Sequence, residues 1–419
     1  MKKFVFYARH KIFFIFLTLL ACLSTCTNSS DTTTEDPATN SGSWTALSAS
    51  PLTGRKDSVT VWTESKMVIW GGDGATGSVN NGALYDPATD TWTEMSDGDN
   101  VPSDRTDLMD FVRVWTGERM IVWSGRSSDG EYSAETTQRQ IRDDGGLYDP
   151  ETDSWVAIQA TSESPGRAYI QGVWTGENMI IWAGHDQSSA ADAAISDPSL
   201  GAIYDPGADL NDPTDDVWQA ITTTNAPSQR RHAAAVWTGS QLLTWGGSYS
   251  HQTFYDDGAL YNPETDTWTE ISNTNAPSPR ELFAYVWTGS KLIVWGGFAG
   301  TQCLDDGAVY DLQTDTWSAI SATDAPTARA STSVVWTGEE MIVWGGVNMS
   351  LDDSENQSNT YLGDGAAYNP TTDTWRALEQ ENAPSARRGF FQVWTGSQFI
   401  IWGGYNGEEY LNDGAAFTP

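Results

Sequence analysis

The sequence predicts an all-β fold of seven four-stranded antiparallel blades, a β-propeller. Two observations support this prediction. A unit typified by Val286 to Ser321 occurs seven times, and its first tryptophan recurs at intervals of 49 to 63 residues. A tandem repeat of about 50 residues with several short strands is typical of propeller blades. In addition, the 21 tryptophans of the chain divide evenly among three positions of this unit, seven at each.

Each unit contains four short apolar runs separated by turn residues, which we interpret as four strands. In the best-defined unit these runs are residues 282–287, 292–295, 308–310 and 317–320. The second run, Leu-Ile-Val-Trp, has no polar alternation, which indicates burial on both faces. A single sheet cannot cover both of its faces, so we expect the units to stack around a common axis.

The tryptophans are expected to form the core, because burying one aromatic side chain removes roughly 150–250 Å² from water. They fall in the first, second and fourth predicted strands. The first-strand set is Trp62, Trp115, Trp174, Trp237, Trp287, Trp336 and Trp394. The second-strand set is Trp70, Trp123, Trp182, Trp245, Trp295, Trp344 and Trp402. The fourth-strand set is Trp44, Trp92, Trp155, Trp218, Trp268, Trp317 and Trp375.

The ends of the repeat region predict how the ring closes. The region opens at residues 43–47 with a fourth strand and stops at residues 414–417 with a third strand. We therefore expect the N-terminal strand to complete the last blade, which would leave fewer exposed strand edges. This assigns residues 43–419 to one propeller domain.

The repeat resembles the kelch repeat. It has Gly-Gly after the second strand, Tyr-x6-Trp across the third and fourth strands (as in Tyr261 and Trp268), and Pro-x-x-Arg or a near variant before the first strand. Departures are few: Ser124-Gly125 and Ala183-Gly184 replace Gly-Gly, and seven residues are inserted before Trp218. The resemblance covers residues 43–419 and implies the fold more than a function, since kelch propellers include scaffolds, glycan binders and a few enzymes.

Residues 1–22 are typical of an export signal, with a basic start and a nine-residue apolar run that is too short to span a bilayer. Leu19-Leu20-Ala21-Cys22 resembles a bacterial lipobox, which implies lipidation of Cys22; an ordinary signal peptide is the alternative. Residues 23–42 are rich in Ser, Thr and Asn and are predicted to form a flexible tether. We expect an exported outer-membrane or cell-surface lipoprotein, or else a periplasmic or secreted protein.

The formal net charge of −34 argues against nucleic acid as a partner, because phosphates would be repelled. We expect a monomer that contacts a membrane only through its N-terminal lipid. No cofactor is predicted, although so acidic a surface is suited to divalent cations. Three cysteines provide no disulfide framework.

The connections between second and third strands, with those between units, should share one end of the propeller, here called the top face. These connections vary most in length, so we expect ligand binding there. An arginine precedes each first strand, and we predict that this ring surrounds the channel mouth and captures an anion such as a carboxylate sugar. The alternative is structural pairing with the acid before the third strand, at Asp144, Asp257, Asp306, Asp364 and Asp413. The ring comprises Arg55, Arg105, Arg167, Arg230, Arg280, Arg329 and Arg387.

Aromatic residues of the top-face connections suit stacking on sugars or anchoring of a protein, although packing onto the rim is an alternative. Histidines in the third and fourth units are weak candidates for metal ligands, because their spacing matches no metal motif. The tyrosines proposed for ligand binding are Tyr132, Tyr249, Tyr255, Tyr361, Tyr405 and Tyr410. The histidines are His185, His232 and His251.

These features favour a non-catalytic binding module that presents its top face to a glycan or protein outside the cell. The resemblance also implies an alternative, a carbohydrate-active enzyme of the sialic-acid epimerase type that uses arginines and acids at the channel mouth. A kelch copper oxidase would need a cysteine-linked tyrosine, for which Cys303 is the only candidate within the repeats. The sequence has no nucleophile elbow, phosphate loop or HExxH motif.

Overall fold

The computed structural model describes residues 42–105, 111–126, 141–164, 166–184, 201–249, 253–351 and 357–419. Within these ranges the regular secondary structure consists of β-strands and one short 3-10 helix at Pro213–Asp215. No helix of this described part is long and apolar enough to cross a membrane. The prediction of an all-β fold is therefore confirmed.

Seven four-stranded antiparallel sheets contain most of the strand residues of the described chain. We number them 1 to 7 in chain order of their first strands. Sheet 1 comprises Val59–Trp62, Met67–Trp70, Gly82–Asp86 and Thr91–Glu94. Sheet 2 comprises Val112–Trp115, Met120–Trp123, Gly145–Asp149 and Ser154–Ala157. Sheet 3 comprises Gln171–Trp174, Met179–Trp182, Gly201–Asp205 and Val217–Ala220. Sheet 4 comprises Ala234–Trp237, Leu242–Trp245, Gly258–Asn262 and Thr267–Glu270. Sheet 5 comprises Ala284–Trp287, Lys291–Trp295, Gly307–Asp311 and Thr316–Ala319. Sheet 6 comprises Ser333–Trp336, Met341–Trp344, Gly365–Asn369 and Thr374–Ala377.

Sheet 7 draws its strands from both ends of the repeat region. Phe391–Trp394, Phe399–Trp402 and Gly414–Thr418 pair in order, and Ser43–Ala46 adds as the fourth strand. Trp44 is the register partner of Phe417, and their ring centroids lie 5.1 Å apart. Sheet 7 therefore has the same strand order as the other six sheets.

Short accessory strands lie in the connections between second and third strands or before first strands. These short strands pair with one another and form small sheets of two or three strands in the connections of sheets 1, 4 and 6. Their bounds are Arg55–Lys56 with Asp73–Gly74 and Gly77–Ser78, Ser248–Tyr249 with Thr253–Phe254, and Val347–Leu351 with Gln357–Tyr361.

The strand positions agree with the repeat pattern to within one or two residues. In sheet 5 the first strand begins at Ala284 rather than at residue 282, because Leu282 has a left-handed backbone with φ of 57°. The last four residues of each second strand are all buried, as their continuous apolar sequence predicted.

Tryptophan pairs connect each sheet to the next. The fourth-strand tryptophan of one sheet packs on the second-strand tryptophan of the preceding sheet; Trp317, for example, lies 5.0 Å from Trp245 between ring centroids. Such aromatic pairs contribute about 0.5–1.5 kcal/mol beyond the area that they bury. The seven pairs are Trp70–Trp155, Trp123–Trp218, Trp182–Trp268, Trp245–Trp317, Trp295–Trp375, Trp344–Trp44 and Trp402–Trp92.

Most of the fourth-strand tryptophans also take part in a second contact, which we call the peptide clamp. In sheet 4, Trp268 Nε1 donates to the Thr222 carbonyl at 2.9 Å, while Asp266 Oδ1 accepts from the Thr222 N–H at 2.8 Å. The Tyr261 hydroxyl donates to the same Asp266 oxygen at 2.9 Å. Thr222 follows the fourth strand of sheet 3, so one residue of the preceding sheet is held on both of its backbone groups.

The peptide clamp recurs around the repeats. Tyr310, Asp315 and Trp317 hold Ser272, and Tyr368, Asp373 and Trp375 hold Ser321. Tyr85, Asp90 and Trp92 of sheet 1 hold Ser48, which follows the N-terminal strand of sheet 7. Hydrogen bonding to Ser48 lowers the pKa of Asp90, as expected for a carboxylate that accepts a backbone N–H.

Sheet 3 keeps the clamp despite its seven-residue insertion. Trp218 Nε1 donates to the Gln159 carbonyl at 3.0 Å, and Asp216 accepts from the Gln159 N–H at 3.5 Å. Burial raises the pKa of Asp216 to about 6, and the neighbouring Asp215 and Asp205 act in the same direction. The insertion thus preserves the contact but leaves its carboxyl in an environment that opposes ionisation.

Replacing Trp44 with alanine should lower the free energy of unfolding by about 3–5 kcal/mol, because a large buried side chain is lost from the strand that completes sheet 7. Urea denaturation followed by tryptophan fluorescence measures this change. Thr45→Ala is the matched control, since Thr45 is exposed on the same strand and should shift stability by about 0.5 kcal/mol or less. Equal effects of the two substitutions would contradict a structural role for this strand.

Asp216→Asn should change how stability depends on pH. Because the pKa of Asp216 is about 6 in the folded protein and about 3.9 in an unfolded chain, the folded state gains a proton first as pH falls. The free energy of unfolding of the wild-type protein therefore rises as the pH falls from about 6 to about 4, and this rise should be absent from the variant. Urea titrations at pH 4, 5, 6 and 7 test the difference, with Asp209→Asn in the exposed insertion as control. Parallel profiles of wild type and Asp216→Asn would refute it.

Candidate functional site

The seven arginines that precede the first strands lie inside the protein rather than on its surface. Each is at most 1% exposed. Arg230 shows the arrangement: Nη1 donates to the carbonyls of Gly246 and Asp257, both at 3.1 Å, and Nη2 donates to Asp257 Oδ2 at 3.0 Å. The guanidinium therefore joins the connection before the first strand to both ends of the connection between the second and third strands.

The aspartates that precede the third strands, which the sequence suggested as structural partners, do pair with these arginines. Five ion pairs of 2.6 to 3.0 Å are formed: Arg105–Asp144, Arg230–Asp257, Arg280–Asp306, Arg329–Asp364 and Arg387–Asp413. Arg55 instead donates to the carbonyls of Thr53, Gly71 and Asn81. Arg167 is buried at the same repeat position in sheet 3. Of the two roles considered for the ring, the geometry supports the structural one, because a guanidinium enclosed by its own sheet cannot reach a ligand in solution.

Three of the predicted tyrosines form a continuous surface, which we call the tyrosine cluster. Tyr361 and Tyr405 pack edge-on with ring centroids 5.9 Å apart, and Tyr405 and Tyr410 lie 5.2 Å apart. The Arg388 guanidinium lies over Tyr361 at 5.9 Å, and the Tyr410 hydroxyl donates to Asp73 Oδ2 at 3.2 Å. All three rings are half-buried, so each is held in place and still presents a face to solvent.

The other predicted aromatic residues are dispersed. Tyr255 lies under the buried Arg230, with 4.5 Å between the guanidinium carbon and the ring centroid, and so serves the sheet's own packing. Tyr249 is half-buried in an accessory strand of sheet 4. Tyr132 lies outside the described residues.

The metal candidates are not brought together in the described residues. His185 and His251 fall outside them, and His232 Nδ1 lies 2.8 Å from Glu281 Oε2. Cys303 is buried and receives the Met349 N–H at 3.2 Å; burial raises the pKa of its thiol. The described part of the chain contains no group of three or more His, Cys, Asp or Glu residues placed to hold a metal ion.

A cavity of about 320 Å³ lies where the first strands of sheets 2, 3, 5, 6 and 7 converge, and sequence reasoning did not find it. Its polar wall includes Arg113, Tyr285, Gln171, Gln392 and Thr332. Apolar groups complete the lining: Phe111, Val112, Ile170, Leu282, Phe283 and Val334. This size and mixture are typical of sites for small molecules, which occupy roughly 300–1,000 Å³.

Arg113 and Tyr285 dominate the electrostatics of the cavity. Both are surrounded by protein on nearly every side, yet each retains some accessible surface, as expected for groups on the wall of an internal cavity. Burial lowers the pKa of Arg113, while Tyr285 and Asp57 act against that change. Burial also raises the pKa of Tyr285, and the Arg113 charge acts against it. A guanidinium remains protonated in such surroundings.

A network of buried polar groups supports the cavity wall at His232. Glu281 is fully buried and accepts from the Ser248 hydroxyl at 2.5 Å, and the Arg231 Nε lies 3.5 Å from the same carboxylate. Tyr169 packs edge-on against His232 with centroids 5.0 Å apart. This network fixes the orientation of the imidazole ring beside the cavity.

Two of these residues have a backbone conformation that is uncommon for bulky side chains. Tyr169 and His232 occupy the second position after the buried arginine, with φ of 58° and 53°. The same position is also left-handed at Asp57, Leu282, Ser331 and Gly389, so this conformation belongs to the repeat and is not specific to the cavity. Large side chains at this position require support from their surroundings. The sequence does contain one indication of the cavity. The residue two positions before the first-strand tryptophan differs between units; it is Thr60 in the first, Arg113 in the second and Tyr285 in the fifth.

Comparison with known proteins identifies the repeats. The family described as the KLHDC2/KLHL20/DRC7 Kelch-repeats domain matches residues 111–346 and residues 208–404. "Acyl-CoA-binding domain-containing protein 4" of Arabidopsis thaliana is 25% identical over 197 residues, which make up 46% of this chain. The match covers 27% of that relative's length.

Replacing Arg280 with leucine should lower the free energy of unfolding by about 3–5 kcal/mol, because the carbonyls of Gly296 and Asp306 would lose a buried donor. Urea denaturation measures the loss. Lys291→Met is the matched control: Lys291 forms an exposed pair with Asp311 in the same sheet, worth about 0–1 kcal/mol. An Arg280→Leu protein as stable as the control would show that the buried pairs do not hold the sheet.

Proposed function

The chain belongs to the kelch-repeat family, and on that premise we propose that it is a non-catalytic binding module. Kelch propellers typically mediate interactions between proteins. We further propose that the seven sheets are the blades of a seven-bladed propeller, closed by the N-terminal strand within the last blade. The cyclic series of tryptophan pairs, in which Trp402 of sheet 7 packs on Trp92 of sheet 1, supports this arrangement.

We propose that the domain of residues 43–419 is exported and attached to a membrane through lipid at Cys22, with residues 23–42 as the connection. The basic and apolar start of the sequence and its Leu-Ala-Cys motif support this. The compact unit Ser41–Pro419 agrees with the proposed domain boundary.

The tyrosine cluster is the observation that carries the binding proposal. Its rings come from the second-to-third-strand connections of sheets 6 and 7, and Glu408 and Glu409 are exposed beside them. Rigid aromatic rings provide contact area at low entropic cost, and tyrosine is enriched among residues that dominate binding energy. Neighbouring carboxylates can accept hydrogen bonds from sugar hydroxyls. We therefore propose a glycan or protein ligand on the top face, with the glycan favoured by this mixture of rings and acids.

The repeated arginines donate within their own sheets, which supports a binding module over an epimerase-type enzyme that would use these arginines at the channel mouth.

A glycan array and a pull-down from cell-surface extract, both with the full chain, test the proposal. Tyr405→Ala should weaken binding of the selected ligand at least tenfold, which corresponds to about 1.4 kcal/mol. Tyr249→Ala is the control, since Tyr249 is half-buried on another sheet. A ligand retained equally by both variants would exclude the tyrosine cluster, and chemical turnover of the ligand would contradict a non-catalytic role.

A further inference from the structure

The cavity between the first strands offers a second site that differs in chemistry from the tyrosine cluster. The chain carries a formal net charge of −34, yet this cavity presents the guanidinium of Arg113 on its wall. A carboxylate is the group that best matches a guanidinium, because the planar fork forms two parallel hydrogen bonds.

The remaining wall groups narrow the class of ligand. Arg113 and Tyr285 line the same cavity, so a small anion held there can contact both side chains. Gln171 and Gln392 provide side-chain amides on the first strands of sheets 3 and 7, and these can donate to and accept from alcohols. The Thr332 hydroxyl, just before the first strand of sheet 6, donates to the Trp344 carbonyl at 2.8 Å and can accept from an alcohol. The apolar groups between them suit the carbon skeleton of a small molecule.

Access and rigidity agree with a binding role. Arg113, Tyr285, Gln171, Gln392 and Thr332 all keep part of their surface accessible, although they face inward. The wall is built on paired strands and on His232, whose ring is held by Glu281. Sites built on strands hold their groups in place before the ligand arrives, which lowers the entropic cost of binding.

We propose that this cavity binds a small carboxylate that carries several hydroxyl groups, with Arg113 and Tyr285 at its carboxylate and the glutamines and Thr332 at its hydroxyls. A sugar acid has this chemistry, either free or at the end of a glycan chain. The proposal does not depend on the tyrosine cluster, which lies on the connections of sheets 6 and 7.

Isothermal titration of the full chain with glucuronate, and with glucose as the uncharged match, tests the proposal. Glucuronate should bind measurably at millimolar concentration or below, and glucose at least tenfold more weakly. Arg113→Gln should weaken glucuronate binding at least tenfold, since it removes a charge-assisted hydrogen bond. Arg376→Gln, a surface arginine paired with Glu340, should bind glucuronate as wild type does.

Further measurements distinguish the remaining outcomes. If Arg113→Gln does not fold, Arg113→Lys keeps the charge without the planar fork and should still lose part of the affinity; Tyr285→Phe should weaken binding severalfold. An oligosaccharide ending in glucuronate separates a chain end from the free acid as the source of the ligand. Tyr405→Ala should leave glucuronate binding unchanged, so failure of the binding-module proposal would be seen separately. Absence of glucuronate binding, equal binding of glucose, or full affinity in a folded Arg113→Gln protein would overturn the inference.

Discussion

The coverage of both faces of each sheet is the constraint on which the structure depends. Every second strand is buried on both sides, so no sheet is stable without a neighbour on each face. One indole per sheet meets much of this need: Trp268 packs on Trp182 of the preceding sheet and donates to the Thr222 carbonyl beyond it. At about 25 cal/mol per Å², burying such a ring contributes roughly 4–6 kcal/mol before entropic costs. Stability is thereby tied to contacts between sheets.

The buried arginines hold the top-face connections in place by hydrogen bonds, whereas the tryptophans hold neighbouring sheets together by packing. A guanidinium has five N–H donors, and Arg387 directs its own to the carbonyls of Ser385, Gly403 and Asp413 and to the Asp413 carboxylate. Full use of these donors compensates for removing the charge from water. Because the base of each connection is held in this way, the residues beyond it can vary in length and composition without disturbing the sheet.

Residues that repeat from sheet to sheet and residues that differ between sheets occupy different positions in this molecule. Tryptophans, clamp carboxylates and arginines repeat from sheet to sheet, and the clamp carboxylates and the arginines use their polar groups within the fold. The tyrosine cluster and the cavity wall break the repeat: Arg113, Gly172 and Val334 occupy equivalent positions in first strands. A regular scaffold thus supplies stable positions at which a few unmatched residues meet.

The sequence alone determined the repeat, the strand pattern and the three tryptophan positions, because these depend on periodicity and on apolar burial. It also supplied the correct acidic partners of five arginines, since one spacing recurs in each unit. Only the tertiary structure decided that those arginines point into their sheets, because spacing does not reveal side-chain direction. The cavity likewise required coordinates: Arg113 and Tyr285 lie far apart in the chain, and strands from five sheets must converge before they share a wall.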